Sequence, residues 1–347
     1  MKTLLNWIVA AALWTLAMGW GGAVAVRAAE DLRIGYGVGG ASSVIPMLAV
    51  EEKLGDLVGS HPTYISFLSS ADGLNALNVG KIDVGVSFGT CAPLTFASQG
   101  AEFVIIAGNI AGGHPIISKP EVADQYRNIE GFRGKTVGSP RLYTSDVVWR
   151  GALHKAGIKP AEDLTLIEFR RPLDVLEAVK SGKIDVGIGA SNLTANARKD
   201  GLAVPLFSND LFPHHPCCRI VTTREVLRNK RPELIRYLKS LLLAEKKYVD
   251  DPEAAVHSNI SQQNLPEDIA RDLALEPHQE YAIDPNTRGV LEMWDYMVAS
   301  DYLENTDLAP ASLIDVSLYR EALAQLKKEY PSPFWDKLET RYKEWNE

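Results

Sequence analysis

The densest group of potential metal ligands in the sequence is the segment His214-His215-Pro216-Cys217-Cys218. Imidazole and thiolate bind Zn, Cu or Fe, and His114 and Cys91 are further candidates for the same place. The spacing matches no closed zinc motif, adjacent cysteines are awkward tetrahedral partners, and buried cysteine is common on strands. We therefore assign no metal and no cofactor. A metal or metal-complex site and a vicinal disulfide in an oxidising compartment stay open as alternatives.

Two loops place glycine or hydroxyl side chains just before an apolar helical pattern, at residues 35–43 and 138–146. Glycine lets the backbone approach a ligand closely, and the N–H groups at a helix start donate naturally to an anion. Hydroxyl groups at the same place add hydrogen bonds to the dipole effect. The candidate ligand residues in these loops are Gly39, Gly40, Ser42, Tyr143, Thr144 and Ser145.

Both loops can also be interpreted without such a ligand. The first fits the Gly-x-Gly-x-x-Gly dinucleotide fingerprint, but the next predicted strand ends in Leu68-Ser69-Ser70, without the acid that holds a ribose. That loop could equally be a plain structural turn. In the second loop, Ser145 could serve only as a helix N-cap.

Further candidates follow apolar strand patterns, where parallel sheets bind their ligands. Thr90 and Cys91 follow one strand, and Ser191 follows its counterpart. Arg171, just before a helix, could pair bidentately with a carboxylate, sulfonate or phosphonate. The alternative for Arg171 is a surface arginine beside Arg170.

No catalytic motif accompanies these candidates. The sequence has no Gly-x-Ser-x-Gly elbow, no His-Glu-x-x-His and no Walker loop. Its seven histidines are scattered, and none is paired with a recognisable nucleophile. We therefore expect a binding protein rather than an enzyme.

The elements that position these residues are duplicated. Residues 80–85 read Gly-Lys-Ile-Asp-Val-Gly, and residues 182–187 repeat them letter for letter. Two upstream segments keep nearly the same offset, with residues 32–35 matching 135–138 and residues 64–68 matching 165–169. Each half therefore predicts strand, loop, helix, strand, helix, strand, loop, helix, strand, which is typical of a mainly parallel sheet covered by helices.

Two similar passages leave the two halves. Residues 113–117 and 214–221 both place His-Pro before an apolar run, and the residue before proline avoids the helical region. We predict that these segments form the hinge. Helical patterns then follow, and we expect them to pack back on the first lobe: Arg231 to Tyr248, Pro252 to Gln262, Pro266 to Leu273, Asn286 to Ser300 and Ser317 to Lys328, before a charged peripheral helix.

Composition limits the class of protein. A chain of 347 residues is long enough for two domains. Its 36 Lys and Arg against 44 Asp and Glu, without a long basic run, give no surface for gripping nucleic acid. At the N-terminus, Lys2, an apolar stretch over residues 8–20 and the small residues ending at Ala28 predict a secretory signal peptide over residues 1–28.

These features together resemble a known family. The export signal, the Gly-rich loop, the duplicated hexapeptide, residues 132–138 and residues 231–235 are similar to the nitrate/sulfonate/taurine branch of ABC-transporter substrate-binding proteins, which includes thiamine-pyrimidine-precursor binders. The resemblance covers nearly the whole chain after the signal. It implies a type II periplasmic binding fold, in which two doubly wound lobes joined by a two-strand hinge carry C-terminal helices. Lobe I would comprise residues 31–114 and 219–347, and lobe II residues 115–218.

The resemblance also implies a function. The protein would close on a small, anionic or polar solute in the periplasm and deliver it to a membrane permease and its ATPase, as a monomer. By position, the family's ligand loops fall on Gly39, Gly40, Ser42, Thr90, Cys91, Tyr143 to Ser145 and Ser191. Arg171 and the run His214 to Cys218, with His215 as a candidate ligand residue, depart from plain sulfonate binders and leave the solute open. An exported metal-dependent enzyme and a sensor module for a membrane kinase stay as alternatives.

Overall fold

The computed structural model describes residues 31–37 and 40–347. The predicted signal peptide and Gly39 lie outside the described residues. The first repeat has the predicted order of elements: β1 (Arg33–Gly37), α1 (Val44–Glu51), β2 (Thr63–Phe67), α2 (Ser70–Asn78), β3 (Val84–Gly85), α3 (Cys91–Ser98) and β4 (Phe103–Gly112).

The second repeat follows the same order after one extra strand and with one short extra helix. Its elements are β5 (Pro115–Ser118), β6 (Thr136–Pro140), α4 (Thr144–Lys155), α5 (Pro160–Asp163), β7 (Thr165–Phe169), α6 (Pro172–Lys180), β8 (Val186–Ile188), α7 (Thr194–Lys199) and β9 (Ala203–Phe207).

The rest of the chain is mainly helical, as predicted, with helix ends within two residues of the predicted ones. Its elements are α8 (Ser208–Leu211), β10 (Pro216–Thr223), α9 (Arg224–Asn229), α10 (Arg231–Asp250), α11 (Pro252–Gln263), α12 (Glu267–Leu275), β11 (Gln279–Tyr281), α13 (Thr287–Ala299), α14 (Ser317–Glu329) and α15 (Pro333–Asn346).

The strands form two sheets, and each contains one repeat. The first has the order β11-β4-β10-β3-β1-β2 and the second the order β7-β6-β8-β5-β9. The prediction of mainly parallel sheets holds for the strands of the two repeats, but both sheets are mixed: β10 runs antiparallel to β3 and β4, β11 to β4, and β5 to β8 and β9. The strands of each repeat still point one way. The antiparallel strand between them comes from a predicted hinge segment, which the repeat pattern alone could not place.

The repeated hexapeptide has the same roles in both halves. Gly80 and Gly182 adopt left-handed backbone conformations, with φ of +69° and +72°, just after α2 and α6. Glycine adopts this left-handed conformation after a helix at little energetic cost, because it has no Cβ. Asp83 then accepts the backbone N–H of Arg33 at 2.9 Å, and Asp185 accepts that of Thr136 at 2.8 Å, so each aspartate fixes the start of the first strand of its repeat.

The C-terminal helices pack mainly on the first sheet, as predicted. One apolar core joins β1, β4 and β10 to α10, α11, α12, α14 and α15. Helix α13 lies instead against α4 of the second half, where Gly151 allows close approach: a Cβ there would lie 2.1 Å from the ring of Tyr296. Among the described residues, no helix has both the length and the apolar character needed to cross a membrane.

Gly108 of β4 gives a test of this packing. A Cβ at that position would lie 2.1 Å from the backbone oxygen of Asp284 and 2.5 Å from that of Ala282, and backbone atoms cannot rotate away. We expect Gly108→Ala to lower the free energy of unfolding by about 1–3 kcal/mol, as measured by urea denaturation. The control is Gly37→Ala on β1, where the nearest atom is the Ser87 hydroxyl at 3.6 Å. Equal stability of the two variants would contradict this account.

Candidate functional site

The candidate site lies where the chain crosses between the two sheets. The first crossing runs from β4 to β5 and the second from α8 to β10, and both new strands begin at a proline preceded by histidine. Those residues, His114 and His215, are both buried, and Nδ1 of His114 lies 2.7 Å from Nε2 of His215. The two predicted hinge segments therefore meet side by side.

The carbonyl of Cys217 joins the helix starts of the two halves. The Thr90 hydroxyl, at the start of α3, donates to it over 3.2 Å. The Thr144 hydroxyl, at the start of α4, donates to it over 3.0 Å. Because α3 belongs to the first repeat and α4 to the second, one backbone oxygen on β10 holds both helix N-termini in place.

The start of α1 approaches the same strand. The side-chain amide of Asn109, on β4, donates to the carbonyls of Ser42 and Val86. Ser42 itself makes a side-chain hydrogen bond with Cys218. The oxygen of the Asn109 amide is buried and has no hydrogen-bond partner within the part of the chain that the structure describes. Thus three of the predicted ligand loops converge on the beginning of β10.

The three helix starts have no side-chain caps. Ser43, Thr90 and Tyr143 hold the N-cap positions of α1, α3 and α4, and none of them caps the helix through its side chain. The alternative that Ser145 is the N-cap of α4 is therefore wrong. Ser145 lies inside the helix, is fully buried, and its hydroxyl has no hydrogen-bond partner among the described residues. At α3 and α4, an uncapped N-terminus presents first-turn N–H groups and a positive dipole end, which suit an anion or a polar acceptor. Helix α1 instead continues a 3-10 turn over Ala41–Ser43, in which the Val44 N–H donates to the Ala41 carbonyl.

A chain of buried hydrogen bonds runs below these helix starts. Nδ1 of His215 donates to the carbonyl of Phe212 at 2.9 Å, because a carbonyl can only accept. Its Nε2 must then accept from Nδ1 of His114, and Nε2 of His114, 3.3 Å from the Cys217 sulfur, accepts the thiol proton. The Phe212 carbonyl therefore sets the direction of the whole chain.

Burial keeps the groups in and beside this chain of hydrogen bonds neutral. It lowers the pKa of His114 well below the usual value and that of His215 to about 4. It also raises the pKa of Cys91, which lies beside Thr144. The charged forms of all these groups are disfavoured because they have little contact with water.

Arg219 supports the strand from the other side. Its guanidinium is buried and donates to the carbonyls of Ile110, Asp284 and Pro285 at 2.8, 3.0 and 3.2 Å. Burial lowers its pKa to about 10, so it stays charged at neutral pH. Because its donors are directed at backbone oxygens of β4 and the segment after β11, Arg219 holds these strands together beneath the site.

Asp146 fixes the loop that leads into α4. It is fully buried and accepts from the Ser139 hydroxyl at 2.7 Å, the Leu142 amide at 3.0 Å, Nε of Arg150 at 2.9 Å and the Tyr302 hydroxyl at 2.6 Å. Tyr302 follows α13, so this carboxylate also ties the C-terminal region to the second repeat.

The remaining predicted residues lie in different settings. Gly40 is half-buried at the turn before α1, and Tyr143 is 43% exposed at the start of α4. The backbone carbonyl of Ser191 accepts from the Gln279 side chain at 3.0 Å, which links the loop after β8 to β11. Arg171 is largely exposed and forms a two-pronged ion pair with Asp174, at 2.6 and 3.0 Å, which is the alternative considered for it.

Sequence reasoning did not identify Asn109, Asp146 or Tyr302 as part of this arrangement. Asp146 had a signal, since it is an acid in the first turn of a helix that directly follows a candidate loop. Asn109 lies within a long apolar strand, and Tyr302 is 156 residues from its partner, so their roles depend on tertiary contacts.

The metal alternative gains no support from the geometry. Over residues 31–37 and 40–347, no three His, Cys, Asp or Glu side chains are grouped so that they could hold a metal ion. The three cysteines are free thiols.

Comparisons with known proteins agree with this architecture. The sequence matches the model of the NMT1-like family over residues 28–261. A search among curated proteins found no match. The comparisons with solved structures show the predicted type II periplasmic binding fold.

Three of the similar structures illustrate the range. The zinc-bound ligand-binding component of an ABC-type import system from Staphylococcus aureus is 20% identical, with a TM-score of 0.67. The match covers 84% of this chain and 99% of that protein's chain. The alkanesulfonate-binding protein of Xanthomonas axonopodis pv. citri, bound to MOPS, is 19% identical, with a TM-score of 0.66, over 83% of this chain and 98% of that protein's chain. The periplasmic nitrate-binding protein of Synechocystis PCC 6803 is 15% identical, with a TM-score of 0.68, over 87% of this chain and 91% of that protein's chain.

The role of Asp146 can be tested by Asp146→Asn. An amide at this position would turn a donor towards groups that are themselves donors, so we expect a loss of about 1–3 kcal/mol in the free energy of unfolding. The control is Asp174→Asn, another first-turn acid, whose exposed pair with Arg171 contributes less than about 1 kcal/mol. Urea denaturation measures both, and equal losses would contradict the role assigned to Asp146.

The neutral histidine chain predicts a pH dependence. The unfolded state binds a proton on His215 near its usual pKa of about 6.5, whereas the folded state binds it only near pH 4. Stability is therefore complete above about pH 6.5 and is lost as the pH falls towards 4. We expect His215→Gln to reduce the slope of unfolding free energy against pH in this window by up to about 1.4 kcal/mol per pH unit. The exposed His61→Gln is the control, and an unchanged slope in His215→Gln would contradict the prediction.

Proposed function

Because the chain belongs to the NMT1-like family and has the fold of type II periplasmic binding proteins, we propose that it is the extracytoplasmic solute-binding component of an ABC importer. It binds a small anionic or polar organic solute of the sulfonate, nitrate or carboxylate type. It changes no covalent bond in that solute.

One observation carries the proposal. Hydroxyl groups from two helix starts, Thr90 in the first repeat and Thr144 in the second, meet on the Cys217 carbonyl. A solute that contacts both helix N-termini would therefore contact both halves of the protein at once. This arrangement is what a protein that closes on its ligand requires, since closure must add contacts from the second half.

The chemistry of the site favours a singly charged or polar head group. The donors that remain for a solute are the Ser145 hydroxyl and helix N–H groups, and burial keeps the two histidines neutral. The buried cation closest to it along β10, Arg219, already donates to three carbonyls. Partial charges at helix ends therefore supply the attraction, and such sites suit small anions.

The contacts between the halves differ on the two sides of the site. On one side, Val147 and Val148 of α4 pack against Met293, Trp294 and Tyr296 of α13 in an apolar cluster. On the other side, the contacts between α7 and α12 are polar and include the pair of Arg198 with Glu276 at 2.8 Å. Water can replace polar contacts when two helices part, whereas exposing an apolar cluster costs hydrophobic free energy, so opening proceeds by parting α7 from α12 while the apolar side stays packed.

The remaining parts of the proposal follow from the resemblance and the predicted signal. The protein is exported to the periplasm, works as a monomer, and presents its loaded form to a membrane permease with its ATPase. Residues 31–114 and 219–347 act as lobe I, and residues 115–218 act as lobe II.

The test uses the unpartnered Ser145 hydroxyl. A thermal-shift screen with methanesulfonate, nitrate, acetate and larger sulfonates is followed by calorimetry on each compound that raises the melting temperature. We expect Ser145→Ala to weaken binding about five- to tenfold, because its hydroxyl has no partner among the described residues and can donate to a ligand. The unfolding free energy without ligand should not fall and should rise by up to about 1 kcal/mol, because the variant removes a buried hydroxyl that has no partner.

The matched control is Ser258→Ala. Its hydroxyl is also buried and unpartnered among the described residues, but it lies in α11 and not at the helix starts that form the site. That variant should bind like the wild type. If no small anion raises the melting temperature of the wild type, the proposed solute class is wrong.

A further inference from the structure

Two adjacent thiols lie at the start of β10, beside the proposed solute site. The sulfur atoms of Cys217 and Cys218 are 3.8 Å apart. Neighbouring side chains on a regular strand point to opposite faces, but the register of β10 against β4 shifts between Pro216 and Cys218. This bulge allows both sulfurs to approach each other, as bulges next to functional sites often redirect a side chain.

The peptide that joins these cysteines is the same one that joins the two halves. Its carbonyl, that of Cys217, accepts the hydroxyls of Thr90 and Thr144. Any chemistry that twists this peptide therefore acts directly on the two helix starts. No other peptide among the described residues accepts both of these hydroxyls.

Cys217 also has a base in place. Its thiol donates to Nε2 of His114 at 3.3 Å, and His114 is held in that orientation by the chain that ends at the Phe212 carbonyl. The residues Cys217 and Cys218 are 6% and 7% exposed, against 1% for Cys91. A small reagent thus reaches the pair more readily than it reaches the third cysteine.

We propose that Cys217 and Cys218 form a redox modification site, which a peroxide oxidises to a vicinal disulfide and which thereby weakens solute binding. The effect on binding rests on the proposed function, whereas the oxidation itself does not.

The reaction balances with hydrogen peroxide as the oxidant. The Cys217 proton passes to Nε2 of His114, and the sulfur bonds to one peroxide oxygen as the O–O bond breaks; the departing hydroxide takes the proton back from His114 and leaves as water. The Cys218 sulfur then attacks the sulfenic acid of Cys217, and the displaced hydroxide leaves with the Cys218 proton as a second water. The two thiols lose two electrons, which reduce the peroxide.

Ring closure must distort the joining peptide. The Cα atoms of adjacent residues are about 3.8 Å apart, whereas disulfides usually span roughly 4.4–6.8 Å between Cα atoms. The sulfurs must also approach from 3.8 Å to about 2.05 Å. The peptide between them twists as a result, and its carbonyl turns away from Thr90 and Thr144.

The first experiment counts thiols. The full chain is reduced, treated with hydrogen peroxide, denatured and alkylated, and its mass is measured. The three free thiols of the wild type should fall to one, with a loss of about 2 Da before alkylation. Cys91→Ser should lose both of its remaining thiols in the same way, while Cys217→Ser and Cys218→Ser should form no disulfide. Three surviving thiols, a gain of oxygen atoms without a disulfide, or protection by Cys91→Ser would overturn the proposal.

The second experiment measures the consequence in two ways. Hydrogen exchange at the starts of α3 and α4 should become faster in the oxidised protein and should return to its original rate after dithiothreitol. Binding of methanesulfonate and nitrate should be about tenfold weaker in the oxidised Cys91→Ser variant than in its reduced form, because a solute must then also restore the order of the two helix starts. Unchanged exchange or unchanged affinity would overturn the switch.

The two proposals fail in different ways. If the reduced protein binds neither probe, the solute class is wrong, but thiol counting and hydrogen exchange still decide whether the cysteine pair is oxidised and moves the helix starts. If the reduced protein binds a probe and no disulfide forms, only the redox proposal is lost.

Discussion

The structure depends on a reciprocal exchange of strands between two copies of one α/β unit. Strand β5 leaves the first copy and lies between β8 and β9 of the second, and β10 leaves the second and lies between β3 and β4 of the first. Each exchanged strand begins at a proline, so its preceding histidine is held extended at the crossing point. The two histidines therefore touch, and everything that meets at the site is built around their buried, neutral contact.

This constraint explains why the polar groups near the crossing are arranged as a chain. A buried charge would need a partner, and the pair of histidines has none at hand, so burial keeps both imidazoles neutral. Neutral imidazoles must alternate donor and acceptor, and the Phe212 carbonyl fixes which end donates. The Cys217 thiol is consequently the group that donates into the chain, while its carbonyl stays available to Thr90 and Thr144.

Much of the fold could be predicted from the sequence because the repeated residues act through local contacts. The hexapeptide ends a helix with a left-handed glycine and starts a strand with an aspartate cap, and both roles act over a few residues or one strand pair. The antiparallel position of β5 and β10 could not be predicted in that way, because it depends on which sheet a crossing strand enters. The hydroxyls at helix starts were found, since their position relative to a strand is local. Asn109 and Tyr302 were missed, because each meets its partner across the fold.

The site also shows why a binding protein leaves polar groups unsatisfied. Three helix starts without side-chain caps, the buried Ser145 hydroxyl and the buried Asn109 oxygen all weaken the protein in the absence of ligand, since caps and buried hydrogen bonds each contribute about 1 kcal/mol. The residues around this site are held by the hydrogen bonds of Arg219 and Asp146. Because the frame is rigid, binding a solute requires little free energy for reorganising the protein. The hydrogen bonds that the solute forms with the helix starts therefore contribute most of their free energy to the affinity. The same frame makes the Cys217 carbonyl a sensitive point, because a small rotation there is transmitted to two helices at once rather than absorbed by a flexible loop.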